Sequence, residues 1–352
     1  MNEVLVTGAT GFVGPHLVAA LRARGARVRV LATPAEDTSA MEREHGVVVH
    51  RGDVRVPETV APALRDVDTV FHLASIHGLW RPRKDYEDVN VLGTENVCRA
   101  ALAAGVRRVL HVSTWVAYGM ALGRTPDERS PFAPIDDAYA VSKARADEIV
   151  QRFVAREGLP ATIVRPALMF GPGDRVNFGR MADRVRAGRM ILIGDGRNVL
   201  PFLYVTDAVE GFLLAATREG AVGQAYNLAH GEPLTQAETW RAIAEELGVA
   251  PPRLRVPYAA LHGLAYLAER AVALTGATRQ PAVTRLGVKL FGADNRVSSE
   301  KARGELGWAP RVSIREGIAR AARWYLGASA GPVALPAPAD AGHAAGAAGG
   351  RP

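Results

Sequence analysis

Apolar residues in the amino-terminal half fall into short runs: EVLVTG from Glu3, Val28 to Leu31, Val47 to Val49, TVFHLA from Thr69, RRVLHVST from Arg107 and ATIVRP from Ala161. Runs this short, rich in Val and Leu and bounded by turn residues, read as strands buried on both faces, and each gap between them has room for a helix. Strand, helix, strand in that rhythm predicts right-handed crossovers and a parallel sheet. After about Phe178 the rhythm loosens. RMILIGDGRN, PFLYVTDAVEGFLLAA and QAYNLAHGEPLTQAETWRAIAEELG predict short strands and helices of a smaller lobe, closed by helices in SSEKARGELGWAP and SIREGIARAARWYLG. The expected architecture is α/β: a doubly wound parallel sheet over residues 1–177, a smaller α/β lobe over 178–327, and an Ala/Gly/Pro-rich tail over 328–352 expected to be disordered.

Charge narrows the partners. The 43 basic and 36 acidic residues leave a net charge of +7, but the arginines are interspersed with acids, so no nucleic-acid partner is expected. The single cysteine, Cys98, excludes an internal disulfide and suits a reducing compartment. MNEVLVTG enters an apolar strand instead of a leader, and a cytoplasmic location is the expectation. The nine histidines lack H-E-x-x-H or similar spacing, so no metal is expected, and G-x-S-x-G is absent. The most apolar helical stretch, Tyr258 to Leu274, is broken by His262, Glu269 and Arg270 and is not a membrane span. Leu261, Leu264, Ala265, Ala268 and Val272 share one of its faces, which suits core packing, a cover over an apolar substrate, or a peripheral membrane contact.

VTGATGFVGPHLVAALRARG places Gly8, Gly11 and Gly14 between the first strand and the first helix. Glycines there let the backbone turn tightly and approach a diphosphate, whose charge is favourable at a helix N terminus. Directly after the first strand of a βαβ pattern they point to a dinucleotide site on a Rossmann-type sheet. The second signal is DDAYAVSKARADE, where Tyr139 and Lys143 stand one helical turn apart. An ammonium beside a phenol favours phenolate and helps proton exchange near neutral pH. The same spacing also fits an amphipathic helix with a tyrosine at its buried edge and a solvated lysine.

Taken in order, TGATGFVG, GDV at Gly52 to Val54, HLAS at His72 to Ser75, VNVLGTENV at Val89 to Val97 and Tyr139-x-x-x-Lys143 resemble the extended short-chain dehydrogenase/reductase family over residues 2 to 326 or so. The resemblance implies that Gly8, Gly11, Phe12, Val13 and Gly14 wrap the diphosphate of NAD(P)(H) and that Asp53 and Val54 meet the adenine. It places Leu73, Ala74 and Ser75 along the adenine ribose and nicotinamide side, with Asn90 and Pro166 completing the site. Thr114 takes the role of catalytic hydroxyl, with Ser113 as the neighbouring fallback, and Tyr139 exchanges the proton. Lys143 holds the nicotinamide ribose, to which Tyr139 lies close, and lowers the phenol pKa. A homodimer through the helices around Asn90 to Ala104 and Asp136 to Arg152 is also implied.

Within the family, departures from the common pattern select the chemistry. Trp115 and Val116 stand where sugar dehydratases and decarboxylases keep carboxylates. Leu168 stands where epimerases usually place an asparagine, and Leu200 where they place an arginine, against a sugar diphosphate. The carboxyl-terminal pattern resembles the 3β-hydroxysteroid and sterol-4-carboxylate 3-dehydrogenase branch, including bacterial relatives that reduce long-chain 2-alkyl-3-keto acids. The expected reaction is NAD(P)-dependent interconversion of a secondary alcohol and a ketone on a sterol-like, polyketide-like or long-chain keto acid substrate, faced by His77, Trp80, Trp115, Leu168 and Met169. The alternatives are a nucleotide-sugar epimerase with tightly held NAD and a non-catalytic dinucleotide-binding sensor. At the end of the second strand Ala32 replaces the acid that would repel the extra phosphate of NADP. Thr33 replaces the arginine that would grip it, leaving NAD against NADP unresolved with a slight lean to NADP.

Overall fold

The computed structural model describes residues 1–77, 81–121, 123–275 and 281–327. In the first half, β1 (Glu3–Thr7), β2 (Arg27–Ala32), β3 (Val48–Arg51), β4 (Thr69–His72), β5 (Arg108–Val112) and β6 (Ala161–Pro166) lie at the predicted runs. Between them come α1 (Val13–Ala23), α2 (Ser39–His45), α3 (Pro57–Ala63), α4 (Arg83–Tyr86), α5 (Gly93–Ala103) and α6 (Ala138–Glu157). The second half adds β7 (Leu168–Phe170), α7 (Phe178–Arg186), β8 (Leu192–Ile193), β9 (Phe202–Tyr204), α8 (Val205–Thr217), β10 (Ala225–Leu228) and α9 (Gln236–Glu246). It closes with β11 (Arg255–Val256), α10 (Tyr258–Thr275), α11 (Arg285–Gly292), α12 (Glu300–Leu306) and α13 (Ile314–Tyr325).

The main sheet is parallel, in the order β10-β6-β5-β4-β1-β2-β3. Alternation along β1 shows why the runs had to be apolar throughout. Val4 and Val6 pack with Leu17 and Leu21 of α1 and Phe212 of α8, whereas Leu5 points to the other layer with Val60, Val97 and Phe153 of α3, α5 and α6. Cys98 is buried in that second layer, and burial pushes its thiol up to about 12, so it packs as a small inert side chain. The strand order reverses between β1 and β4, which opens a crevice at the carboxyl ends of the strands.

Two segments differ from expectation. α8 packs on the main sheet and β10 joins it beside β6, with Ala225 opposite Ile163. Tyr226, Asn227 and Leu228 are fully buried, which suits a sheet strand better than the smaller lobe predicted for that stretch. α10 does not present one uniform apolar face either: Leu261 and Ala265 are buried, while Leu264 and Leu267 are 56% and 64% exposed. No described helix is long and apolar enough to cross a membrane. The tail over residues 328–352, expected to be disordered, and Trp80 lie outside the described residues.

Candidate active site

The chain leaves β1 at Thr7 and turns at Gly8, whose φ is +70°. A Cβ on Gly8 would lie 2.6 Å from the Ala74 amide, and one on Gly14 would lie 2.1 Å from the Ala9 carbonyl oxygen. Only glycine allows the loop to sit so close to both β4's extension and α1. α1 starts without a side-chain cap and without an acid in its first turn, so its amino-terminal N–H groups border the crevice with no carboxylate competing for them. This donor set fits the diphosphate of a dinucleotide.

The crevice has a volume of about 640 Å³. Gly8, Gly11, Phe12, Val13, Gly14, Asp53, Val54, Leu73, Ala74, Ser75, His77, Thr114, Trp115, Tyr139, Lys143, Pro166, Leu168 and Met169 all line it. Residues 90, 32 and 200 do not. Asn90 is buried behind the wall, Ala32 packs in the core, and Leu200 is 2% exposed inside the second lobe's core, so Leu200 says nothing about what the crevice holds. Trp115 both lines the crevice and belongs to the main core.

Tyr139 is carried by α6, whose N terminus is capped by Asp137: the carboxylate accepts from the Tyr139 and Ala140 amides at 3.0 and 3.1 Å. Tyr139 is half-buried and lines the crevice together with Thr114, whose side chain interacts with the phenol. Burial pushes this phenol up to about 12; the Thr114 contact lowers it, and Asp137 and Tyr86 raise it further. The His77 ring stands 6.3 Å from the phenol ring. Lys143 is buried, which drops its ammonium to about 8 against the opposing pull of Asp147. Its Nζ donates to the Val112 carbonyl at 2.7 Å. Here the structure departs from the expectation that Lys143 depresses the phenol: the ammonium is turned to a backbone carbonyl, and burial dominates. A phenol held this way keeps its proton at neutral pH and is set to donate it.

Asn90 explains its own position outside the crevice. It lies in a π-helical turn, Glu87–Leu92, between α4 and α5. Its Oδ1 accepts from the Ile76 amide at 2.7 Å, and its Nδ2 donates to Ser142 Oγ at 2.9 Å and to the Ile76 carbonyl at 3.2 Å. The loop after β4 is thereby tied to the Tyr139 helix.

His72, which the sequence reading left without a role, anchors the same wall. Ala74 N–H donates to Thr7 Oγ1 at 3.3 Å, and Thr94 Oγ1 donates to the Asn90 carbonyl at 2.6 Å. His72 Nδ1 lies 2.8 Å from Thr7 and Nε2 lies 3.0 Å from Thr94, so the consistent assignment is a neutral ring that accepts at Nδ1 and donates at Nε2. Burial holds this imidazole down to about 3. Beneath it, Arg165 is bidentate to Asp147 at 2.8 and 2.9 Å and donates to the Tyr118 hydroxyl at 2.7 Å, which donates to Asn227 Oδ1 at 2.9 Å. Asp147 is one turn beyond Lys143 on α6.

The crevice also contains residues the sequence did not announce. Thr10, Glu36 and Arg55 stand at one part of its lining, and Met120, Leu286 and Leu290 join Trp115 and Met169 in a continuous apolar cluster. Nothing in local sequence links α11 to a site built around α6.

The profile of the NAD dependent epimerase/dehydratase family matches residues 4–229. The chain belongs to that family. The 2-alkyl-3-oxoalkanoate reductase of Stenotrophomonas maltophilia (strain K279a) is 32% identical over 334 residues, covering 90% of this chain and 98% of the relative. The 3-beta-hydroxysteroid dehydrogenase of Mycolicibacterium neoaurum is 32% identical over 339 residues, covering 92% of each. The crystal structure of DesIV, a dTDP-glucose 4,6-dehydratase from Streptomyces venezuelae with NAD and TYD bound, is 28% identical with a TM-score of 0.76, covering 92% of this chain and 97% of that one. This member of the epimerase/dehydratase family is an oxidoreductase of the extended short-chain dehydrogenase/reductase type, from an NAD-dependent group with NAD-bound structural neighbours.

Proposed function

We propose that the protein interconverts a secondary alcohol and a ketone on a hydrophobic molecule, of the sterol-like, polyketide-like or long-chain 3-oxo acid kind. The carrying observation is the apolar wall beside the Tyr139 and Thr114 hydroxyls, made by Trp115, Met120, Leu168, Met169, Leu286 and Leu290. Such a wall binds by removing apolar area from water, at about 25 cal/mol per Å². The names of the reductase and steroid dehydrogenase relatives support the same class.

In this reading, Gly8, Gly11 and the start of α1 hold the dinucleotide's diphosphate, while Asp53, Val54, Leu73, Ala74, Ser75 and Pro166 flank its remaining parts. The bound nicotinamide supplies or removes a hydride at the substrate carbon. Tyr139 donates its proton to the carbonyl oxygen during reduction and takes it back during oxidation. Thr114 shares that oxygen by hydrogen bonding. Lys143, cationic below about 8, lends positive charge to the crevice in which the oxyanion develops. His77 and Met169, which both line the crevice, meet the substrate. Residues 1–177 supply most of the dinucleotide half together with Trp115, Met120, Leu168 and Met169 of the substrate wall, and the second half adds Leu286 and Leu290.

A panel of apolar ketones and nucleotide sugars, followed by nicotinamide absorbance, tests the substrate class. Saturable reduction of apolar ketones with no sugar turnover is expected; turnover of a nucleotide sugar alone would overturn the proposal. The buried ammonium gives a pH signature. Because Lys143 loses its proton as pH rises through about 8, kcat/KM for reduction is expected to fall through that range. A profile flat through that range would remove the charge of Lys143 from the mechanism.

A further inference from the structure

We infer that Glu36 selects NAD over NADP, its carboxylate standing where the 2′-phosphate of NADP would have to lie. The inference rests on the crevice being a dinucleotide site, as proposed above. The ribose of the adenosine half sits between the glycine loop and the end of the second strand, where an acid accepts its hydroxyls in NAD users. Ala32, which ends β2, packs into the core and does not reach the crevice. Four residues later the chain has turned back, with the Glu36 amide donating to the Thr33 carbonyl at 3.1 Å. The Glu36 carboxylate then accepts from the Thr33 amide at 2.6 Å through Oε2 and from the Thr10 hydroxyl of the glycine loop through Oε1. Thr10, Thr33 and Glu36 all line the crevice.

The turn is clamped from behind. Arg51 donates to the Glu36 and Thr33 carbonyls at 2.9 and 3.2 Å and to Thr38 Oγ1 at 2.8 Å. Arg55, which also lines the crevice, is engaged by Asp53, with Nη2 to Oδ2 at 2.6 Å. A phosphate arriving here would meet a carboxylate on the very donors it needs, with Arg51 already committed to the carbonyls behind the turn. Like charges brought together this way are strongly selected against.

The test is calorimetric titration of the full chain with NADH and with NADPH, for the native protein, Glu36→Gln and Glu36→Ala, each checked for native folding by thermal unfolding. Native protein is expected to bind NADH at least about tenfold more tightly than NADPH. Glu36→Gln removes the charge but keeps an acceptor, so NADH binding holds while NADPH binding strengthens by about tenfold. Glu36→Ala frees Thr10 and the Thr33 amide for the phosphate and reverses the preference. Equal binding of the two by native protein, or an unchanged ratio in both variants, would overturn the role of Glu36. Binding of neither dinucleotide by folded native protein would instead overturn the dinucleotide reading, and this assignment with it.

Discussion

Tyr139→Phe is expected to lower kcat for ketone reduction by about 10² to 10⁴-fold, the range that a positioned proton donor contributes. The loss falls on kcat because the hydroxyl is the group proposed to reach the reacting oxygen, while the ring that lines the crevice stays. Dinucleotide affinity measured by titration should change little. Thr114→Val, which removes the hydroxyl's partner, should act in the same direction and not add fully, since the two act on one oxygen. Turnover by Tyr139→Phe close to that of native protein would show that the proton comes from elsewhere, and His77, with its ring 6.3 Å away, would be the next group to replace.

The largest expected effect on stability is that of Arg165→Met. Arg165 and Asp147 side chains are 3% and 0% exposed, and the guanidinium also holds Tyr118. Removing it leaves a buried carboxylate with Gln151 Nε2, at 2.7 Å, as its remaining side-chain donor. Breaking a buried pair from one side costs about 3–5 kcal/mol, readable in urea unfolding. Adding Asp147→Leu should recover part of the loss, because the unpaired charge is then gone. The pair also bears on chemistry: Asp147 is the group that opposes the drop in Lys143's pKa, so Asp147→Asn should move the pH limit of reduction to lower pH.

The sheet was legible because its central strands, such as β1, β4 and β6, are buried on both faces and so had to be short, largely apolar runs. The glycine loop was legible for a different reason: Gly8 and Gly14 sit where a Cβ would strike backbone, and no other residue type serves. Helical spacing put Tyr139 and Lys143 on one face but fitted an ordinary amphipathic helix equally, and only the ordered family motifs singled them out. What failed to show was anything fixed by tertiary turns. β10 reads locally as part of a small lobe, and only its pairing with β6 places it in the main sheet. Leu200 aligned with a substrate contact but is packed in a core, so its polarity carried no message about ligand. Ala32, where the sequence pattern would put a cofactor-selecting acid, packs in the core. The carboxylate lies four residues further on, returned by a turn whose course depends on Arg51 from β3. Leu286 and Leu290 were missed because α11 reaches the crevice only through the packing of the carboxyl-terminal half.

Net transfer of a hydride to an apolar substrate is the central claim. The most direct measurement is mass analysis of the product formed with reduced dinucleotide deuterated at the transferring nicotinamide position and an apolar 3-oxo substrate. The account predicts one deuterium on the new carbinol carbon, with one oxidised dinucleotide released for each product. An epimerised nucleotide sugar with its label unchanged, the dinucleotide still bound and no deuterium in any apolar ketone would contradict it.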